Sequence, residues 1–449
     1  MIKTLMFAKP HRVAWLTLVA AFVIFCIVAV GMVQLVQYVL FDWTTNLETT
    51  VHVARGTLVV RSAADPNEHA VSLWRQIDPG DRIRTDELSQ GHLTFRDPIN
   101  SEVVVATVQL IAGSEVSIKQ SSRPRFLGDG PFSIRLEDLI GEVEITISPK
   151  LERDVRVELR TNDQKVLLNE AGLYRLRGET ESLRVTVHRG SALLINQVSQ
   201  NKLVEAGETG TSGRSVAPYV VEVNTANLVT NSYFLPAGDD QLPTGWGCSD
   251  DPDPVLDPET GNPVPQPAGE FAATFFQGRH TVHIKRDADR TLDHSETLCT
   301  QIVNHDVSQY DSLRVRATMY LESHSLPGCG ERASECVMML RVRYIDQQGV
   351  RRTWLHGFYV HYDENLGWPL RCDTCDQNHE HVNPGTWFVF TSEDLIQDLP
   401  PDLQARRPVE IVDVQFDASG HKYEAYIGEL SVLASSSAAE VASNDVVTE

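Results

Sequence analysis

The chain has 449 residues, with 39 Lys and Arg against 61 Asp and Glu, which gives a formal net charge of −22 at pH 7. Such an acidic composition argues against nucleic acid as the ligand and against docking driven by anionic lipid. The length is sufficient for two or three folded domains.

An apolar stretch near the start, Val13 to Phe41, contains no charged side chain. At 1.5 Å per residue it can cross a hydrocarbon core of about 30 Å, so it predicts a single transmembrane helix over 13–41. The stub before it, residues 1–12, holds Lys3, Lys9 and Arg12 and no acid. The positive-inside rule therefore predicts a cytoplasmic N-terminus, with the rest of the chain extracytoplasmic at the cell membrane.

A cleaved signal peptide is the alternative interpretation of the same stretch. Signal peptides have apolar cores of about 7–15 residues, followed by a small-x-small cleavage site. This core is longer, and residues 37–42 offer no such site. The pattern therefore favours an uncleaved anchor that keeps the chain on the lipid bilayer.

Six of the seven cysteines lie in the last part of the chain, and the seventh, Cys26, lies within the apolar stretch. An even number in an exported domain indicates disulfides. Sequence alone allows many pairings, but proximity favours Cys329–Cys336 and Cys372–Cys375, which leaves Cys248–Cys299.

Residues 51–215 show short alternating segments typical of β-strands. Examples are 103–108, 155–159 and 183–187, in which Val, Leu and Thr recur at period two. Turn signals recur about every eight to twelve residues, which is typical of all-β folds and not of βαβ units. We therefore predict a mainly β protein, with this region a short-strand barrel or solenoid.

The most distinctive motif in this region is Gly-Asp-Arg-Ile-Arg-Thr at 80–85, followed by a strand ending at Asp97 and by Ser-Glu-Val-Ser-Ile at 114–118. It resembles the FecR domain, with one copy over about 51–122. A weaker second copy over about 133–215 lacks the Gly-Asp-x-Ile-x-Thr element. We expect Asp81 and Thr85 to make hydrogen bonds at a turn and a strand edge, and neither residue indicates catalysis.

FecR regulators hold a sigma factor through a sizeable cytoplasmic domain. Residues 1–12 are too few for such a domain, so a transmembrane signalling regulator is the least favoured role. We expect an extracytoplasmic scaffold instead.

Residues 216–226 are predicted to be a linker, with a connecting strand as the alternative. The segment after it opens with Asn227-Leu228 and Gly245-Trp246 and closes with strand-like runs at 410–416 and 425–433. This order of pieces resembles galactose-binding-like and carbohydrate-binding-module jelly rolls. The resemblance implies a β-sandwich over 227–433, made of two packed antiparallel sheets. The tail, 434–449, is poor in large apolar residues and is predicted to be disordered.

Two clusters could bind metal. The acidic, Pro-rich loop around 250–268 offers carboxylates that suit calcium, although their spacing is not that of an EF-hand. These carboxylates belong to Asp250, Asp251, Asp253 and Asp257. The run Cys372-Asp-Thr-Cys375 with His379 and His381 could form a tetrahedral zinc set, but the gap between the two pairs is short and an oxidising compartment favours a disulfide. We therefore assign no metal and leave calcium open as the only cofactor.

Aromatic residues are the better indication of a ligand. In the segment 353–362, alternation places Trp354, His356 and Tyr362 on one face, and Trp368 follows in the next loop. Sugar rings stack on such side chains while polar groups fix the hydroxyls. The sequence thus predicts ligand binding at Trp354, His356, Tyr362 and Trp368, with packing in the sandwich core as the alternative for each.

No nucleophile elbow, P-loop or dinucleotide fingerprint is present, and paired acids alone do not indicate a glycosidase. We therefore predict a non-catalytic, membrane-anchored protein that binds a glycan or cell-wall polymer. The alternative is a structural or assembly protein of the cell envelope, whose β-domains contact other envelope proteins.

Overall fold

The computed structural model describes residues 10–39, 43–65, 67–126, 130–149, 151–161, 163–196, 200–213, 217–222, 225–238, 242–252, 255–256, 259–264, 266–288 and 294–436. The protein is mainly β, as predicted, with one N-terminal apolar helix, α1 (Pro10–Gln37). The stretch Val13–Gln37 is long and apolar enough to cross a membrane and is not buried by the rest of the chain. Most of the predicted cytoplasmic stub lies outside the described residues.

The first β-region follows α1 and contains eighteen strands. They are β1 (Thr44–Asn46), β2 (Glu48–Arg55), β3 (Leu58–Arg61), β4 (Glu68–Val71), β5 (Trp74–Gln76), β6 (Arg82–Arg84), β7 (Gln90–Arg96), β8 (Val104–Leu110), β9 (Glu115–Pro124), β10 (Phe132–Ile147), β11 (Val155–Thr161), β12 (Gln164–Leu168), β13 (Gly172–Gly178), β14 (Ser182–Arg189), β15 (Ala192–Ile195), β16 (Asn201–Val204), β17 (Glu208–Gly213) and β18 (Tyr219–Glu222).

These strands form one nearly closed, barrel-like structure around a single apolar core. One sheet has the order β5-β2-β7-β8-β10-β13-β14-β17-β18, and the other has the order β4-β3-β6-β9-β10-β11-β12-β15-β16. The long strand β10 belongs to both because it bends between Asp138 and Gly141, which have φ of 57° and 76°. A Cβ at Gly141 would approach the Gly113 carbonyl oxygen to 2.5 Å, so the bend needs glycine there.

The motif residues Asp81 and Thr85 act as the sequence predicts. Asp81 Oδ1 accepts a bond from the Ala63 amide at 3.2 Å, and Thr85 Oγ1 donates to the Ile111 carbonyl at 2.9 Å. Thr85 Oγ1 also accepts from the Ser114 amide at 2.8 Å. Both side chains are buried, and their hydrogen bonds hold turns of the backbone in place, which is a structural role.

The second β-region is a sandwich of two main sheets with one small hairpin. Its strands are β19 (Thr225–Asn227), β20 (Gly247–Pro252), β21 (Val255–Leu256), β22 (Pro263–Val264), β23 (Glu270–Phe276), β24 (Arg279–Asp287), β25 (Ser295–Asp306), β26 (Ser312–His324), β27 (Met338–Asp346), β28 (Arg351–Tyr359), β29 (Glu380–His381), β30 (Thr386–Thr391), β31 (Pro408–Gly420) and β32 (Lys422–Ser435). Two 3-10 turns, Glu364–Leu366 and Pro401–Arg406, lie in its loops.

The front sheet of the sandwich has the order β23-β24-β32-β26-β30, and the back sheet has the order β20-β25-β31-β27-β28-β29. Their inner faces share one apolar core. The segment 216–226, predicted as a linker, carries β18 of the first region and β19, which pairs with β32. Strand β32 extends to Ser435, and residues 437–449 of the predicted tail lie outside the described residues.

Three disulfides join the six cysteines in the pairing that proximity favours, Cys248–Cys299, Cys329–Cys336 and Cys372–Cys375. Cys248 and Cys299 face each other across β20 and β25. The other two bridges share a small apolar cluster beside the back sheet.

The two β-regions pack against each other, and the second region contributes the front sheet, strand β29 of the back sheet and the loop between β29 and β30. The side chain of Gln90 pairs with the Val389 backbone on β30, donating to its carbonyl at 2.9 Å and accepting from its amide at 3.3 Å. Asn383 donates to the Val53 carbonyl at 2.9 Å, and Arg55 lies 3.0 Å from Glu380. These contacts are polar, and Ala54 of the first region also packs into the apolar core of the second.

A buried ion network lies within this interface. Glu144 on β10 contacts Arg279 at 3.2 Å and Arg316 at 2.5 Å, and Arg316 contacts Glu429 at 3.3 Å. All four side chains are buried. Burial alone raises the pKa of the Glu144 carboxyl, but Arg316 and Arg279 outweigh it and hold that pKa below its ordinary value. Glu144 is therefore ionised and joins the regions by charge.

Buried histidines make the fold sensitive to acid, and His356 is the clearest case. Its ring stacks on Phe390 at 4.6 Å, and neither ring nitrogen has a hydrogen-bond partner within the described part of the chain. Burial, followed by the nearby His379, lowers the pKa of His356 to about 3. Unfolding restores a pKa of about 6.5. The stability that this neutral ring supplies is present above about pH 6.5 and is lost as pH falls toward 3.

We expect His356→Phe to flatten this dependence on pH. The phenyl ring fits the aromatic neighbourhood and removes both unpartnered nitrogens. Urea unfolding at pH 7.5 and pH 5.0 should show a smaller difference for His356→Phe than for the wild type, with the gain concentrated at pH 5.0. His305→Phe, on a histidine whose ring lies against Tyr310, serves as the control. Equal acid sensitivity in His356→Phe and the wild type would contradict this assignment.

Candidate functional site

A row of aromatic side chains crosses the outward face of the front sheet. The strand register places His283 of β24 opposite Tyr426 of β32, Tyr426 opposite Tyr320 of β26, and Tyr320 opposite Trp387 of β30. The neighbours of these residues along each strand, such as Ile427 and Met319, point into the core. Alternation along the four strands therefore places all four rings on the outer side.

Phe276 completes this cluster, which we call the aromatic row (Phe276, His283, Tyr320, Trp387 and Tyr426). It stacks on Tyr426 with a centroid distance of 4.1 Å and an interplanar angle of 9°, and it meets Tyr320 edge-on at 5.0 Å. On the other side, His283 stacks on Tyr426 at 4.1 Å. Trp387 and Tyr320 are buried at one end of the row, whereas Phe276, Tyr426 and His283 are half-buried.

A tight turn sets the position of Phe276. Because Phe276 pairs with Arg279, the hairpin between β23 and β24 has a two-residue loop, Gln277-Gly278. Both loop residues have positive φ, 46° and 86°, as a type I′ turn requires. Gln277 Oε1 accepts a hydrogen bond from Trp387 Nε1 at 3.2 Å, which links the turn to the row.

Polar groups border the open side of the row. Glu424 Oε1 lies 3.0 Å from His283 Nε2 and accepts from the Tyr426 hydroxyl at 3.4 Å. Lys285 is paired with Glu424 in register, and exposed Glu322 follows on β26. Burial, and then Glu424, raises the pKa of Tyr426 to about 12, so its hydroxyl is a neutral donor at physiological pH. The border thus offers carboxylate acceptors beside the stacked rings.

The other half of the same sheet face is covered. Arg279, Arg316 and Glu429 point outward there and are buried against Glu144 of the first region. A ligand on the front sheet can therefore reach only the half bounded by the aromatic row. The first region forms one wall of the site.

The structure separates the four residues that the sequence predicts as ligand-binding. Trp354 and His356 point into the sandwich core, where Trp354 is 7% exposed, so their ring faces are not available for stacking. Tyr362 is 36% exposed, and its hydroxyl donates to the Trp368 carbonyl at 3.0 Å in the loop after β28. Trp354 and His356 therefore lie in the core, which is the alternative that the sequence leaves open for them. Tyr362 and Trp368 share one loop.

The Cys372-x-x-Cys375 run is organised around His379 without a free ligand set. Both cysteines are in a disulfide, as are Cys329 and Cys336 on the other side of the imidazole. His379 Nδ1 accepts from the Gly357 amide at 2.9 Å, and Nε2 donates to the Ala333 carbonyl at 2.8 Å. With both nitrogens engaged, this histidine packs two disulfides together and has no lone pair for a metal.

Of the acidic loop predicted as a possible calcium site, the structure describes only part. Asp250 accepts from Ser295 at 2.8 Å and Thr297 at 2.7 Å through Oδ1. Asp253 and Asp257 lie outside the described residues. Calcium binding stays a prediction.

The sequence gives no direct signal for the aromatic row. Its residues come from five strands and are up to 150 positions apart, and only the register brings them into line. The one available hint is the alternation of Tyr423, Ala425 and Ile427 with Glu424 and Tyr426, which places Tyr426 outward once the core face is known.

No protein-family model matches the chain, and no curated protein matches it. Among solved structures, a candidate anti-sigma factor from Parabacteroides distasonis ATCC 8503 is 16% identical over 31% of this chain and 59% of its own, with a TM-score of 0.23. This chain therefore spans under two thirds of that protein.

Two carbohydrate-binding modules from Clostridium thermocellum are also similar. The family 11 module, solved with a β-1,3-1,4-mixed-linked tetrasaccharide, is 7% identical over 48% of this chain and 99% of its own, with a TM-score of 0.26. The family 22 module of Xyn10B is 9% identical over 46% of this chain and 98% of its own, with a TM-score of 0.22. These are the two kinds of protein that the sequence resembles. At such TM-scores they carry no inference about function, which we therefore argue from this chain's own residues.

Proposed function

We propose that this chain is a membrane-anchored, extracytoplasmic, non-catalytic protein that binds a neutral glycan on the half-open face of its front sheet. The aromatic row carries the proposal. Tyr426 is held between Phe276 and His283, so the stack can offer the outer faces of these two half-buried rings beside Glu424. Sugar rings pack their C–H faces on such surfaces while carboxylates accept their hydroxyl protons.

Charge selects the class of glycan. The border of the site carries two carboxylates, Glu424 and Glu322, and one cation beside them, Lys285. A polymer of uronic acids would place carboxylates against these acids, which costs free energy in a partly desolvated site. A neutral polysaccharide meets no such penalty.

The anchor and the disulfides suit this role. α1 can hold the chain at a membrane, and three disulfides persist only in an oxidising compartment, which supports placing both β-regions outside the cytoplasm. The charge bias of residues 1–12 supports a cytoplasmic N-terminus.

A panel of polysaccharides tests the proposal. The full chain in detergent micelles should be retarded in affinity gels that contain at least one neutral cell-wall or plant-type polysaccharide, and it should migrate freely through gels that contain polygalacturonate or alginate. Retention only by the uronate polymers would contradict the charge argument. Free migration in every gel would contradict glycan binding.

A second role, contact with an envelope protein, is favoured by one observation. Strand β5 is an edge strand of its sheet, and Leu73 and Trp74 at its start are exposed, with Trp74 stacked against His52 at 6.5 Å. Exposed apolar side chains on a sheet edge are suited to strand pairing with another chain. Free migration in every gel, together with an envelope partner lost in Trp74→Ala, would favour this role.

A further inference from the structure

The end of the first β-region nearest α1 carries an exposed aromatic and cationic cluster. The Trp43 amide donates to the Tyr38 carbonyl at 3.0 Å. Tyr38 directly follows Gln37, the last residue of α1, and Trp43 directly precedes Thr44, the first residue of β1. Since a residue spans at most about 3.6 Å of extended chain, Trp43 lies close to the end of the helix. The strand that follows is therefore held near the same membrane surface.

Strand pairing brings a second aromatic residue to this position. Thr44 pairs with Pro124 at the end of β9, and the Arg125 amide donates to the Trp43 carbonyl at 2.9 Å. The rings of Trp43 and Phe126 meet edge-to-face at 5.3 Å, and the Arg125 guanidinium lies 5.7 Å from each ring centroid. Trp43 is 45% exposed and Phe126 is 54% exposed.

A third apolar side chain lies at the same end of the strands. Glu48 pairs with Arg96, so the turn that follows β7 lies beside the start of β2. Ile99 in this turn is 75% exposed, and Asp97 of the same turn is bonded to Arg123 at 2.7 Å. Three separate segments thus contribute exposed apolar side chains at this end of the strands.

The opposite end of the same strands supplies a reference point. Arg55 at the end of β2 pairs with Gln90 at the start of β7, so the turn before β7 lies a strand length away from Trp43. Leu88 in that turn is 70% exposed. It matches Phe126 in exposure and apolar character but lies far from α1.

We propose that Trp43, Phe126 and Ile99 dock the first β-region onto the headgroup layer of the membrane that holds α1, with Arg125 on a lipid phosphate. Aromatic side chains favour this layer, because their rings are apolar and their edges are polar. A guanidinium matches phosphate geometry. The acidic chain gains nothing from anionic lipid, so zwitterionic phosphatidylcholine is sufficient. The inference rests on the proposed anchor and is independent of glycan binding.

Docking has a consequence for the rest of the molecule. With it, the first region is fixed on the bilayer, and the polar interface fixes the front sheet relative to the first region. The aromatic row then keeps one direction relative to the membrane.

Quenching by brominated lipid tests the docking. The full chain is reconstituted in phosphatidylcholine vesicles whose acyl chains carry bromine near the headgroup. In a Trp15→Phe, Trp43→Phe background, one tryptophan is added, either as Phe126→Trp or as the matched control Leu88→Trp. We expect Phe126→Trp to lose emission on bromination and Leu88→Trp to behave as the background does. Equal quenching of the two would overturn the proposal.

Two further variants separate the parts of the claim. A protein that keeps Trp15 reports on the anchor, and loss of its emission on bromination shows that α1 is in the bilayer; no loss would overturn the anchor and the docking together. Arg125→Glu in the Phe126→Trp protein should reduce the quenching, because a carboxylate repels the phosphate. Unchanged quenching in Arg125→Glu would overturn the phosphate contact.

Discussion

Glu144→Ala should lower the free energy of unfolding by about 3–5 kcal/mol, because it leaves the guanidiniums of Arg279 and Arg316 buried without their shared carboxylate. The residue lies on β10, the strand common to both sheets of the first region, and its partners lie on the front sheet of the second. The loss should therefore also weaken the contact between regions. Urea unfolding monitored by tryptophan fluorescence measures it.

The matched control is Glu68→Ala in the same region. Glu68 pairs with Arg84 at 3.1 Å, but both side chains are about half exposed. Water screens such a pair, so the expected loss is less than about 1 kcal/mol. Similar losses for Glu68→Ala and Glu144→Ala would contradict a buried network between the regions.

Because Arg316 and Arg279 hold the pKa of Glu144 down, the stability that Glu144 supplies is present above about pH 4.5 and is lost in stronger acid.

Removal of the Cys248–Cys299 bridge with Cys248→Ala, Cys299→Ala should cost about 4 kcal/mol in the chain-entropy description, since the bridge closes a loop with a sequence separation of 51. The bridge ties the edge strand β20 to β25, and Cys299 is buried in the sandwich core. Without it, the unfolded chain regains the freedom of a segment that includes β21 to β24.

The comparison is Cys372→Ala, Cys375→Ala, whose bridge has a sequence separation of only 3. The same description gives a loss of about 2 kcal/mol for this short loop. Unfolding in urea under non-reducing conditions measures both variants. A larger loss for the Cys372–Cys375 variant than for the Cys248–Cys299 variant would contradict loop closure as the source of stability.

The sequence predicts the elements of this protein better than it predicts the site. Local patterns predict the elements, because each pattern acts within a short stretch of chain. The charge-free stretch Val13–Phe41 predicts the helix, period-two alternation predicts the β class, and closely spaced cysteines predict the disulfide pairing. The segment 216–226, predicted as a linker or a connecting strand, carries Tyr219–Glu222 and Thr225–Asn227, which pair with strands of the first and second region respectively.

The site depends on relations that no local pattern encodes. Alternation places Trp354 and His356 on one face of a strand, but it does not show whether that face points into the core. In the folded sandwich, both rings pack against Phe390 in the core. Tyr426 shows the converse, since its outward position follows from the burial of Tyr423 and Ile427 and its ring partners come from strands far apart in sequence. The cover over the other half of the face depends on Glu144, which lies in a different region altogether.

A substitution at Tyr426 tests glycan binding by the aromatic row, because the Tyr426 ring contacts both Phe276 and His283. Tyr362→Ala is the control, since it removes a more exposed tyrosine ring at a position that the sequence predicts and that lies in a separate loop. Circular dichroism confirms the fold of both variants beforehand.

The measurement is isothermal titration of the full chain in detergent with an oligosaccharide of whichever neutral polysaccharide the gels retain. We predict that Tyr426→Ala weakens binding at least about tenfold, a change of about 1.4 kcal/mol, and that Tyr362→Ala binds as the wild type does. Wild-type affinity in Tyr426→Ala, with binding lost in Tyr362→Ala, would contradict the account and move the site to the loop after β28.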